Sequence, residues 1–290
     1  VSPEELDVPV TGGTLRVCRW PGGTGPTVLA AHGITANAMS WAPVAESLAG
    51  RATLVAADLR GRARSAALPG PYGLAQHADD LVTVLDHLGL DRAPVVGHSM
   101  GAFVAAVAAL RHPDRVSSVL LVDGGVTLQV PEGADIDEVL AAVIGPAMRR
   151  LQMTFDSERT YLDFWRKHPA LSADWSPAVR DYALRDLVGE PPALHSSCSL
   201  EAVRRDATDT LLDEQTTTAV HRIPCPATFL WCERGILDEP QGLYDEVRLQ
   251  VAGLDHGRVT VEKVPDVNHY TVLLSARGAS RVADHIARMT

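Results

Sequence analysis

The chain is poor in features that would impose a special environment or partner. Cysteine is sparse, and the four present (Cys18, Cys198, Cys225 and Cys232) include no CxxC pair, so neither a zinc site nor a thioredoxin-like motif is expected. Cys225 and Cys232 flank one predicted strand, too long a reach for a single bridge. Scattered thiols suit a reducing compartment, and a cytoplasmic location is expected. No apolar stretch approaches the roughly 18 residues that a membrane span needs. Positive charge is in the minority, with 26 Lys and Arg against 36 Asp and Glu. A net charge of -10 without a basic run is a poor match for nucleic acid or an anionic membrane, which leaves a small molecule as the expected partner. The first ten residues contain Glu4, Glu5 and Asp7 and lack the basic start and apolar run of a signal peptide. The glycine-rich turn Pro21–Pro26 lacks the Lys-Ser/Thr of a phosphate loop, no metal-ligand spacing is visible, and no cofactor or metal is expected. Oligomeric state is not legible.

What the chain does have is apolar substance and rhythm. Its 290 residues are 46% hydrophobic, enough for a large core. Short apolar runs recur at Leu15–Trp20, Thr27–Ala31, Ala52–Asp58, Ala93–Gly97, Ser117–Asp123, Pro226–Trp231 and Arg258–Val264. Near-continuous runs of this kind read as strands buried on both faces. Helical patterns lie between them. In Gln76–Leu88, Leu81, Val84, Leu85 and Leu88 fall on one helical face and Gly89 ends the helix; Ala102–Leu110 is apolar nearly all round; Ser275–Met289 closes the chain. This alternation predicts an α/β fold with a mostly parallel sheet covered by helices. From about Thr127 to Arg222 no strand is expected and helical patterns dominate, so residues 1–126 and 223–290 are expected to form a core and 127–222 a helical insertion over the sheet's C-terminal edge.

The strongest local signal is Gly97-His98-Ser99-Met100-Gly101, between a predicted strand and a predicted helix. Small residues on both sides allow a sharp turn that lifts the serine hydroxyl above the sheet, and the helix start supplies N–H groups for a developing oxyanion. His32-Gly33-Ile34, after an earlier strand, would bring a second donor, making the N–H groups of Ile34 and Met100 the expected oxyanion hole. Of eleven histidines, His269 stands after the last strand and before the closing helix, where the order serine, acid, histidine puts a general base.

With His32-Gly33, Asp58–Ser65, the Ser99 turn, His112-Pro113-Asp114-Arg115-Val116 and Asn268-His269-Tyr270, nearly the whole chain resembles the α/β-hydrolase-fold serine hydrolases with a helical cap. Relatives often carry glycine where Ala63 stands, a mild departure in a loop. The resemblance implies an acid near Trp231-Cys232-Glu233-Arg234-Gly235, but glycine occupies the usual aspartate position. Asp123, at the end of the strand before the insertion, is the favoured replacement, with Asp238 and Glu233 as competitors. Its role would be to fix the His269 tautomer and stabilise the imidazolium. His32, Trp41, His98 and Trp165 are further pocket candidates, and Arg60, Arg62 and Arg64 read as a solvated loop with surface ion pairs rather than a carboxylate site. The expected activity is hydrolysis of an ester, lactone or thioester of a small to medium, mostly apolar substrate through an acyl-serine, as in a carboxylesterase or lactonase. The alternatives are a non-hydrolytic ligand-binding protein of the same fold, or a lyase, cyclase or perhydrolase using the same pocket. Serine at the turn disfavours epoxide hydrolase and dehalogenase chemistry, in which relatives use aspartate.

Overall fold

The computed structural model describes residues 2–127, 138, 145, 148–255 and 257–289. Its main sheet has eight strands: β1 (Glu4–Val10), β2 (Gly13–Trp20), β3 (Thr27–Ala31), β4 (Thr53–Ala57), β5 (Ala93–His98), β6 (Val116–Val122), β10 (Ala227–Cys232) and β11 (Val259–Val264), in the order β1-β2-β4-β3-β5-β6-β10-β11. The β1–β2 and β2–β4 pairs are antiparallel, and all pairs from β4 to β11 are parallel. Each predicted run forms a strand, and β1 is an addition the sequence reading did not include.

The apolar runs are explained by burial on both faces. Successive strand residues point to opposite sides, so Leu29, Val95 and Leu121 join one core cluster while Val28, Val96 and Leu120 join the other. The first cluster is covered in part by α2 (Leu74–His87) and α3 (Met100–Arg111), which supply Leu81, Val84 and Val104. The opposite cluster takes Val44 and Leu48 from α1 (Ala42–Leu48) and Val282 and Ile286 from the closing helix Ala276–Met289. Residues 100–109 of α3 are all buried, as their all-round apolar character requires.

The order of strands positions the site. From β3 the chain passes outward to β4, then crosses back to β5 on the other side of β3. Such a reversal opens a crevice at the carboxyl ends of the two central strands. The loop after β3 carries Gly33 and Ile34, and the turn after β5 carries Ser99.

Between β6 and β10 lie α4 (Glu158–Arg166), α5 (Pro177–Asp186), α6 (Leu200–Leu212) and α7 (Glu214–Arg222). The expectation of no strand here is corrected: β7 (Thr154–Phe155), β8 (Leu187–Val188) and β9 (Leu194–Ser196) form a small antiparallel sheet. Runs of two or three residues carry no readable period, which is why the pattern missed them. The stretch has a cluster of its own, with Phe155, Tyr161, Trp165, Leu171, Val179 and Tyr182 buried together against Leu274. Ala219 and Val220 of α7 instead join the core beneath the sheet. Residues 128–137, 139–144, 146 and 147, part of the expected insertion and including Pro146 of its Gly145-Pro146 turn, lie outside the described residues. Among the described residues no helix is long and apolar enough to cross a membrane.

Candidate active site

Ser99 sits at the tip of β5 with φ 56° and ψ -124°, a conformation side chains rarely adopt. Its neighbours are glycines by necessity. A Cβ on Gly97 would lie 1.9 Å from the Gly101 carbonyl oxygen, and one on Gly101 would lie 2.1 Å from that of Ala31. The turn is thus wedged between α3 and β3, and the strain at Ser99 is held by its surroundings. Met100 opens α3, so its N–H has no intrahelical acceptor.

The loop after β3 lies beside it: a Cβ on Gly33 would be 3.2 Å from the Ser99 Cβ and 3.5 Å from its Oγ. The Gly33 carbonyl oxygen accepts from His32 Nδ1 at 2.7 Å and from the Ala36 N–H at 3.1 Å. Because a planar trans peptide points its two polar groups in opposite directions, these bonds aim the Ile34 N–H away from them. His32 Nε2 accepts the Leu59 N–H at 2.9 Å, so the proton resides on Nδ1. Burial pushes the His32 pKa down to about 3, which keeps the ring neutral. His32 is therefore a support behind the loop and not part of the cavity wall expected for it. Trp41 is a second correction. It is fully buried with Val44, Leu48 and Leu273 on the other side of the sheet, and Ser40 lines the cavity in its stead.

His269 Nδ1 lies 2.6 Å from Asp123 Oδ2, with Asp123 1% exposed. A carboxylate has no proton to give, so Nδ1 carries it and Nε2 is left with a free lone pair. Asp123 Oδ1 accepts the Cys232 N–H at 2.9 Å, which fixes the carboxylate from the neighbouring strand. His98 donates from Nε2 to the His269 carbonyl oxygen at 2.8 Å, and the two rings lie 4.6 Å apart. Burial, with the adjacent His269 adding to it, holds the His98 pKa well below the usual histidine value.

The two competing acids are engaged elsewhere. Asp238 pairs with Arg234 at 2.7 Å and accepts from Asn268 Nδ2 at 3.0 Å. Glu233 pairs with Lys263 at 2.7 Å and accepts the Asp266 N–H at 2.9 Å. The arginine cluster is a further correction. Arg60 and Arg62 are fully buried, on Asp80 at 2.9 Å and Asp206 at 2.5 Å, and only Arg64 is the exposed surface pair expected of all three.

Ser99, His269, His98, Gly33 and Ile34 all line one cavity of about 410 Å³. Its walls include Trp165, as expected, and also Tyr182, His168, Tyr270 and Leu243, which the sequence offered only as packing or did not single out. Arg149, Arg150 and Lys167 are its cations, and among the described residues no Asp or Glu lines it. Burial, then the nearby Arg150 charge, lowers the His168 pKa to about 4, so that ring adds no charge near neutrality. Among the described residues no group of three His, Cys, Asp or Glu side chains is placed to hold a metal ion.

Comparison with known proteins places this geometry in context. A family model of the alpha/beta hydrolase fold matches residues 26–275. A putative carbamate hydrolase RutD from Caulobacter segnis is 40% identical over 117 residues, covering 40% of this chain and 44% of that protein. A 2-(acetamidomethylene)succinate hydrolase from Mesorhizobium japonicum is 38% identical over 101 residues, 35% of this chain and 36% of the relative. The matched part thus spans less than half the length of either relative. Among solved structures, an E-2-(acetamidomethylene)succinate hydrolase superposes with a TM-score of 0.80 at 24% identity, covering 99% of this chain and 98% of the other. The thioesterase domain from the curacin biosynthetic pathway does so with a TM-score of 0.76 at 22% identity, covering 99% of each. At those identities the likeness concerns the fold.

Proposed function

This chain belongs to the α/β-hydrolase fold family, and from that premise we propose that it hydrolyses an acyl bond of a small substrate through a covalent intermediate on Ser99. The observation that carries the reading is the 2.6 Å contact of His269 with Asp123 in the cavity that holds Ser99. Ser99 Oγ attacks the substrate carbonyl while His269 Nε2 takes its proton. Asp123 stabilises the imidazolium, and the N–H groups of Ile34 and Met100 bind the oxyanion. His269 then gives the proton to the leaving group, and water releases the acyl group by the same steps in reverse.

An ester, lactone or thioester would acylate Ser99 readily. Two relatives named for a carbamate and for an acetamido acid extend the range to acyl carbon–nitrogen bonds. The wall residues Phe164, Trp165, Leu237 and Leu243 favour a mostly apolar body, and the Arg149 and Lys167 side chains on the rim favour an anionic group on it, the Arg150 charge being taken up by Asp186. The described residues between β6 and β10 act as a cap in this reading, since Phe164, Trp165, His168 and Tyr182 line the cavity. A cytoplasmic setting accords with four free cysteines.

Rapid labelling by a fluorophosphonate and turnover of a short p-nitrophenyl ester test the reading. Ser99→Ala should abolish the labelling and lower turnover by at least about 10⁴-fold with the melting temperature retained. Equal turnover in that variant, or an unreactive Ser99 in the parent, would leave a ligand-binding protein or a non-covalent lyase as the better description.

A further inference from the structure

The oxyanion loop is held by charges that the reaction itself does not use. Its consecutive carbonyl oxygens each meet a buried guanidinium. Arg62 Nε donates to the Ile34 carbonyl oxygen at 3.0 Å, and Arg150 Nη2 donates to that of Thr35 at 3.2 Å. Arg62 also reaches the Met100 sulfur at 3.9 Å, so one side chain touches both residues whose N–H groups form the hole. The two arginines come from different parts of the chain, yet each is neutralised by an aspartate from the stretch between β6 and β10. Arg62 pairs with Asp206 of α6, which is braced by His77 Nε2 at 2.9 Å and the Gly73 N–H at 2.8 Å. Arg150 pairs with Asp186 of α5, which also accepts from Tyr161 Oη at 3.0 Å and Ser196 Oγ at 2.8 Å. Burial alone would raise the Asp206 pKa, but His77 and Arg62 hold it down to about 2.

Burying two ion pairs is not an efficient route to stability, because desolvation offsets most of the attraction. What such pairs do provide is fixed geometry. Donors on two successive carbonyls set the planes of the peptides that follow Ile34, and with them the approach of the Ile34 N–H to Ser99. We propose that Arg62 and Arg150 are positioning residues for the oxyanion hole, and that Asp206 and Asp186 make its assembly conditional on the docking of α5 and α6. This inference rests on Ser99 acting as the acyl-forming nucleophile.

The test uses the full chain, with rates counted per phosphonate-titrated active site so that misfolded molecules do not enter. Arg62→Met alone would strand the Asp206 charge, so it is paired with Asp206→Leu, which removes both partners. The companion variant is Arg150→Met with Asp186→Leu. A displaced hole should lower kcat by about ten- to a hundredfold with KM within about twofold, because its bonds strengthen only as the oxyanion develops. Affinity for a boronic acid transition-state analogue should fall by the same factor as kcat, while affinity for the product acid should hold. A purely structural role would lower the titratable fraction and leave the kcat and boronate affinity of the remaining molecules intact. If kcat per titrated site stays within about threefold in both folded double variants, or the loss appears in KM, the positioning role is overturned. If the parent protein itself fails to react with the phosphonate, the underlying hydrolase reading falls, and the inference with it.

Discussion

Two aspartates reach the same loop from neighbouring strand ends. Asp123 follows β6 and bonds to His269, while Asp238, in the loop after β10, bonds to Asn268, the residue just before it. Both have left-handed backbones, with φ 47° at Asp123 and 68° at Asp238. They differ in surroundings. Asp123 is sealed from water and meets an imidazole and a backbone N–H, with no cation paired to it among the described residues apart from His269. The Asp238 side chain is 37% exposed and already paired with a guanidinium. A sealed carboxylate stabilises a neighbouring imidazolium strongly, because little solvent screens it. An exposed one paired with Arg234 has little field left to offer and serves to tether Asn268. In the proposed reading the glycine at 235 does not signal a missing acid, since Asp123 would supply the carboxylate one strand over.

The largest test of that difference is Asp123→Asn, which should reduce kcat by about 10⁴-fold while the protein remains folded. A loss below tenfold, measured with a p-nitrophenyl ester, would remove Asp123 from the role. Asp238→Asn keeps a side chain that can accept from Asn268 but breaks the Arg234 pair; the expected loss is under about tenfold. A larger deficit than that of Asp123→Asn would reverse the assignment of the two acids. Acid titration separates them again. The hydrogen bond from Arg234, aided by Asn268, lowers the Asp238 pKa below the ordinary carboxylate value. Its tethering is thus fully present above the unfolded value of about 3.9 and is lost only as pH falls through the lower folded one. Activity profiles of the parent and of Asp238→Asn should superimpose between about pH 4.5 and 8, and a displaced acid limb in the variant would contradict this. The smallest effect belongs to Glu233→Gln: an exposed pair with Lys263 predicts unchanged kcat and a melting temperature within about 2 °C.

Much of this was legible before any coordinates. Strands buried on both faces announce themselves as apolar runs, and the Ser99 turn joins such a run to a buried helix. Asp123 was favoured over Asp238 and Glu233 from its strand end together with the glycine at 235, and it lies against His269. What was not legible depends on partners distant along the chain. Arg60 and Arg62 look like a solvated cluster until the fold brings Asp80 and Asp206 to them. Trp41 adjoins the oxyanion loop in sequence, but the turn at Ala38–Trp41 directs it into the core. β1 carries acids and alternating exposure as the outer member of a hairpin, so no apolar run marks it. Ala63 lies at φ 44°, a left-handed backbone that glycine would adopt with less strain.

The glycines around Ser99 bear on how such a protein can diverge over evolutionary time. A single added methyl group at position 97 or 101 would stand 1.9 or 2.1 Å from a carbonyl oxygen. No sequence of small steps leads away from those residues without parting α3 from the strands it packs against. The cavity wall imposes no such barrier, because Phe164, Leu237 or Lys167 can be exchanged without disturbing the turn. Selection for a new substrate would therefore leave its record in the wall, while the residues around Ser99 stay as they are.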